Sequence, residues 1–136
     1  VEKDKVICDT DVMIDYLDHL QIRHQAAKYI LDNLIGLDFV TLSAVTKMEL
    51  IAGAPNKAGL GKLNKNISRF NILLINPDIT SLTIQLIENY KLSHNLAMPD
   101  ALIAATALHT GFKLFTFNLK DFRFIQGLEF FEASNQ

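Results

Sequence analysis

Short apolar runs alternate along this 136-residue chain with longer stretches whose apolar residues recur at helical spacing. Lys5 to Cys8, Phe39 to Leu42, Ile72 to Ile75 and Leu114 to Phe117 read as strands, and Leu128 to Phe131 as an edge strand. Met13, Tyr16, Leu17 and Leu20 repeat at helical spacing, as do Ala26, Ala27, Ile30, Leu31 and Leu34 before a stop at Gly36. Ser43 is an N-cap for a helix that runs out at Gly53 and Pro55. From Asn56 to Phe70, Leu60, Leu63, Ile67 and Phe70 share one helical face, and Lys62, Lys65 and Arg69 form a stripe on another. Asp78 caps a helix containing Ile79, Leu82, Leu86, Ile87 and Tyr90. Pro99 to His109 is apolar nearly all round, which implies burial on most sides. This order predicts an α/β chain, a mainly parallel sheet of four or five strands covered on both faces. No linker, repeat or low-complexity stretch interrupts it, so a single domain over residues 1–136 is expected.

In such sheets ligands bind beyond the carboxyl ends of the strands. Asp9 lies at such an end, and Asn118 and Asp121 follow the fourth strand, which Thr116 closes. Glu49 sits within the helix that follows the second strand, and Asp100 follows Pro99 at the head of the apolar helix. Each has an ordinary explanation alone. Asp9, Thr10 or Asp11 can cap a helix, and an acid in the first turn of a helix suits its dipole. Glu49 can pack its stem beside Val45, Ala52 and Gly53 and send its head to water. Asp121 and Asn118 can be loop residues. Together they are harder to dismiss, because carboxylates in apolar company are costly without a charged partner. No Lys or Arg is fixed beside Asp9, Glu49 or Asp100 in the sequence, and a divalent cation is the simplest partner for all three.

The formal net charge of -2 argues against a dedicated duplex-DNA binder, since phosphate contacts need local cations. One cysteine, Cys8, cannot form an internal disulfide, which fits a reducing, cytoplasmic setting. No apolar stretch is long enough to span a bilayer, and the charged opening Val1 to Lys5 is unlike a signal peptide. His19, His24, His94 and His109 lack paired ligand spacing, so zinc is not expected. Lys47, Lys113, Lys120 and Arg123 fall near the expected active edge and are candidates for holding a substrate. Phe115, Phe117, Phe122, Phe124, Phe130 and Phe131 crowd the C-terminal part, as packing or as a dimer surface.

Four segments taken together resemble the PIN-domain ribonucleases, and among them the VapC-like toxins of toxin–antitoxin pairs. They are Val6-Ile-Cys-Asp9-Thr10-Asp11-Val12-Met-Ile-Asp15, Ser43-Ala-Val-Thr-Lys-Met-Glu49-Leu-Ile-Ala-Gly53, Met98-Pro99-Asp100-Ala101-Leu102-Ile103-Ala104-Ala105-Thr106-Ala107 and Thr116-Phe-Asn118-Leu-Lys-Asp121-Phe122. The resemblance covers nearly the whole chain and implies a PIN-like three-layer α/β/α sandwich. It assigns Asp9, Glu49 and Asp100 to catalysis and to a Mg2+ or Mn2+ ion. It leaves Asn118 and Asp121 both eligible for a fourth position, with Thr10 and Thr116 in support. Where Asn118 fills that position, the site carries one negative charge fewer. The implied reaction is hydrolysis of an RNA phosphodiester by water, leaving a 5′-phosphate and a 3′-hydroxyl. A homodimer and a VapB-like antitoxin that blocks the acidic groove are implied as well, and a PIN nuclease of RNA processing is the nearest alternative.

Two other classes fit less well. Asp9-Thr-Asp11 echoes the haloacid-dehalogenase phosphatases, but these need a later Lys and a closely spaced acidic pair, and Asp100 is solitary. A receiver domain needs a phospho-accepting Asp at a central strand end, whereas Asp78 follows Asn76-Pro77, and Glu49 has no task there.

Overall fold

The computed structural model describes residues 4–133, so Val1 to Lys3 of the charged opening lie outside it. Four strands form one parallel sheet: β1 (Val6–Cys8), β2 (Val40–Ser43), β3 (Asn71–Leu73) and β4 (Lys113–Phe115), in the order β3-β2-β1-β4. Val6 registers with Val40 on one side and Lys113 on the other, so β1 is central. The described residues also form six α-helices: α1 (Thr10–Leu17), α2 (His24–Tyr29), α3 (Ala44–Ala52), α4 (Lys57–Ile67), α5 (Pro77–His94) and α6 (Met98–Thr110).

Alternation along β1 and β4 divides the interior in two. Ile7 and Leu114 join Ile79, Leu86, Ile103, Ala104 and Ala107 of α5 and α6. Val6, Cys8 and Phe115 join Val12, Met13, Leu31, Ile67 and Phe70 on the other face. The result is the three-layer sandwich that period-2 strands and amphipathic helices require. α6 is apolar between Asp100 and His109 except for Thr106, whose hydroxyl donates to the Leu102 carbonyl, and six of its residues, Ala101, Ile103, Ala104, Ala105, Thr106 and Ala107, are buried. Its small side chains let it lie close against both the sheet and α5.

Several boundaries differ from those read in the sequence. α1 stops at Leu17 because the Asp18 carboxylate bonds forward, accepting the Leu20 N–H at 3.0 Å, which leaves Leu20 exposed beyond the helix. α2 runs on into a π-helical turn at Ile30–Ile35, and Gly36 ends it at φ 90°. Asn76, not Asp78, caps α5 by accepting the Ile79 N–H at 2.8 Å. α4 ends at Ile67, so Arg69 is not on its stripe; it pairs with Asp38 at 3.4 Å instead. The expected edge strand from Leu128 shrinks to one parallel bridge, Leu114 with Phe130. Leu114 donates to the Glu129 carbonyl and accepts from Phe131 N–H, a single step of ladder. Lys113 opens β4 beside Val6, at the amino end of the sheet. In a parallel sheet that is the far end from Asp9, so Lys113 is not a substrate residue of the active edge. Of the C-terminal phenylalanines, Phe115 and Phe122 are buried, and Phe117, Phe124, Phe130 and Phe131 pack against the two cores.

Ile7 is fully buried in the middle strand, where a cavity has no route to collapse. Ile7→Ala is expected to destabilise the protein by about 2–5 kcal/mol in equilibrium urea unfolding. A loss well under 1 kcal/mol would contradict the central placement of this side chain.

Candidate active site

Beyond the carboxyl end of β1 the chain turns directly into α1, and Asp9 is the turn residue. Its backbone is extended and its side chain caps the helix, accepting the Thr10 N–H at 2.7 Å. Its backbone N–H continues the sheet, donating to the Phe115 carbonyl at 3.0 Å. Its second carboxylate oxygen accepts the Thr116 hydroxyl at 2.8 Å. Asp9 is only 5% exposed, so these donors are what make its ionised form tolerable.

Ser43 performs the same turn at the end of β2, accepting the Val45 and Thr46 N–H groups, and launches α3 toward the same edge. Thr10 then donates its hydroxyl to Glu49 at 2.6 Å. With that proton committed, the 2.9 Å contact between Thr46 and Thr10 requires Thr46 to donate. A relay from buried Thr46 through Thr10 thereby fixes the head of Glu49, which belongs to an exposed residue at the rim. Pro99, in the first turn of α6, is followed by Asp100, half-buried in the same turn. After β4, Thr116 accepts the Asn118 N–H at 2.9 Å, and the Asn118 amide donates to Asp11.

These elements enclose a cleft of about 370 Å³ lined by Asp9, Thr10, Asp11, Ile14, Glu49, Asp100, Asn118 and Asp121. The structure therefore brings Asp9, Glu49, Asp100, Asn118, Asp121 and Thr10 to one place, with Thr116 behind Asp9. It does not bring the expected cations there. Lys47 is two residues from Glu49 on α3 and so on a different face. Arg123 lines a separate, mostly apolar groove of about 900 Å³ with Tyr29, Phe117 and Phe131. Lys120 is exposed beside Asp121 but does not line the cleft. Asp11 and Thr46 were not singled out for chemistry from the sequence. Asp11 had a visible signal, an acid in the opening motif beyond the one needed for capping. The role of Thr46 depends on tertiary placement alone.

Crowded acids without cations resist ionisation. Burial, opposed by the Thr116 and Thr10 hydrogen bonds and reinforced by Asp11 and Glu49, pushes Asp9 up to about 6. Burial first, then the charges of Asp9, Asp121, Glu49 and Asp11, pushes Asp100 up to about 7. Oxygen donors of this kind suit a hard divalent cation and no soft one. Among the described residues no three His, Cys, Asp or Glu side chains stand close enough to cage an ion unaided. Any ion held by these residues would therefore keep some of its waters.

An α/β/α sandwich with an acidic, oxygen-only cleft at the carboxyl edge of its parallel sheet defines the class. The family model described as the PIN domain matches residues 6–127, and the chain belongs to that family. It is 47% identical over 47 residues to "Ribonuclease VapC1" of Rickettsia felis, a stretch spanning 35% of each protein. A chain of a toxin–antitoxin complex from Klebsiella pneumoniae superposes with a TM-score of 0.74 and 30% identity, covering 91% of this chain and 95% of that one. A chain of the FitAcB structure from Neisseria gonorrhoeae does so with a TM-score of 0.73 and 26% identity, covering 96% and 99%. Among the described residues no helix is long and apolar enough to cross a membrane.

A carboxyl whose pKa is higher folded than unfolded takes up a proton on folding between the two values. Its stabilising effect is full below the unfolded value and is lost as pH rises through the folded one. For Asp100 that window runs from about 4 to about 7. Calorimetry of the metal-free protein is expected to show Asp100→Asn melting higher than wild type at neutral pH and nearly level with it at about pH 4. A variant that melts lower at neutral pH would contradict the crowding of these acids.

Proposed function

We propose that this protein is a metal-dependent endoribonuclease of the VapC type, the toxin component of a toxin–antitoxin pair. The observation that carries the reading is the meeting of Asp9, Glu49 and Asp100 in one cleft of a PIN-family chain. PIN nucleases of the VapC type depend on a divalent metal. In this chain Asp9, Glu49 and Asp100 would hold a Mg2+ or Mn2+ ion, with Asn118 and Asp121 on the adjoining wall. Such an ion, when bound, activates water and neutralises charge on the scissile phosphate.

The protein's own groups set the stage for this chemistry. Thr116 and the Thr10 N–H hold Asp9 in one orientation, and the Thr46–Thr10 relay does the same for Glu49. Fixed carboxylates lose little freedom when a cation arrives. Without a cation the same wall repels an RNA phosphate, so metal and substrate load together. Lys120, exposed next to Asp121, is the cation best placed by the chain to meet a neighbouring phosphate. Lys47 and Arg123 would serve only a strand that extends past the cleft.

The reading extends to assembly. A single PIN-like domain over residues 1–136, a homodimer and a cytoplasmic setting accord with it. A VapB-like antitoxin would inhibit by placing a basic side chain among the unneutralised acids. The toxin–antitoxin complex from Klebsiella pneumoniae among the structural neighbours supports that partner.

The test is incubation of purified protein with total RNA. Cleavage is expected with Mg2+ or Mn2+, with 5′-phosphate ends, and none with a chelator. Asp9→Asn keeps a good N-cap, so it should fold while losing at least about 100-fold in rate. Cleavage that persists in chelator, or an unimpaired variant, would remove the proposal.

A further inference from the structure

Two cross-links of the same reach tie the β1–α1 junction to the segment after β4. Thr116 donates to Asp9, and two residues on, Asn118 donates its side-chain amide to Asp11. The backbone N–H of Asn118 donates to the Thr116 hydroxyl, so the two links are joined. These three hydrogen bonds form a ring that the Asp9–Thr10–Asp11 backbone closes. The Asn118 amide nitrogen has its partner inside the cleft, and the residue contributes no charge of its own.

Asp11 supplies that charge. It lines the cleft with Asp9, Glu49 and Asp100. An acid in the first turn of α1 is favoured by the helix dipole in any case. The dipole does not account for an amide brought from 107 residues away to hold this carboxylate. The bond engages Oδ2 of Asp11, a residue that lines the cleft, and a carboxylate has a second acceptor oxygen.

Building on the nuclease reading above, we propose that Asp11 is an additional ion-facing acid of this cleft and that Asn118 is the residue that positions it. α1 thereby contributes a charge beside the uncharged Asn118. Pairing an amide with a carboxylate, instead of two carboxylates, gives one ionised group held by one donor and avoids a direct clash of like charges.

Isothermal titration with Mn2+ tests this without any cleavage assay. Asp11→Asn is expected to weaken Mn2+ binding by about tenfold, the scale found when groups around a metal are removed. The exchange Asp11→Asn with Asn118→Asp keeps one amide and one acid facing each other with roles reversed, and should recover most of the lost affinity. Both proteins should remain cooperatively folded in chelator, which separates loss of an ion-facing charge from loss of the fold. Unaltered Mn2+ affinity in Asp11→Asn would overturn the proposal, as would an exchange variant no better than Asp11→Asn alone. Asp100→Asn serves as the reference. If it too binds Mn2+ like wild type, or if wild type binds none, the nuclease reading itself fails and this proposal with it.

Discussion

One buried carboxylate holds the architecture and the cleft together. Asp9 extends the sheet through its N–H, starts α1 through one oxygen, and receives Thr116 from beyond β4 through the other. Those three bonds join the first strand, the first helix and the last strand at a single residue. Charge-assisted bonds of this sort are stronger than neutral ones and are worth most where water is excluded. Thr10 and Asp11 then follow at fixed angles along the first turn of α1, one toward Glu49 and the other toward Asn118. The positions of the remaining acids, apart from Asp100 on α6, are referred to this turn.

The arrangement costs stability in the metal-free protein. Asp9 and Asp100 both resist ionisation, and their neighbours Asp11, Glu49 and Asp121 deepen that resistance. A fold under selection for stability alone would place Lys or Arg in such a cleft, yet among the described residues none lines it. Elsewhere the chain does pair its acids. Asp15, also buried, is bridged by Arg23 at 2.9 Å, and Arg23 lies 4.6 Å over the Phe117 ring. Neutralisation within the protein was therefore available to this sequence, and among the described residues no Lys or Arg supplies it in this cleft. Strain kept at a functional site and offset elsewhere is the general pattern.

Local chemistry explains what could be read in the sequence. Strand-to-helix turns carrying Asp9 and Ser43 have strong capping signals, so the parallel order and two walls of the cleft followed from residues alone. The apolar α6 announced its own burial. Side chains that compete for a turn were harder. Asn76 takes the cap of α5 because its oxygen reaches Ile79, while Asp78 falls inside the first turn. Asp18 ends α1 by bonding forward to Leu20, a contest between side chain and helix that periodicity does not register. Lys113 and Arg123 were placed near the active edge by sequence proximity to Thr116. Strand direction sends the first to the opposite end of the sheet, and the turn after Asp121 puts the second in the apolar groove. The Asn118–Asp11 bond spans nearly the whole chain, and only the closed sheet reveals it.

The central claim is that side-chain oxygens from β1–α1, α3 and α6 share one cation. A crystal of the protein grown with Mn2+ and measured at a wavelength where manganese scatters anomalously addresses it directly. The account predicts an anomalous peak inside the cleft, within ligand or water-bridged reach of Asp9, Asp100 and Glu49. Full-occupancy manganese bound only at other surfaces, with the cleft empty and its acids unmoved, would contradict it.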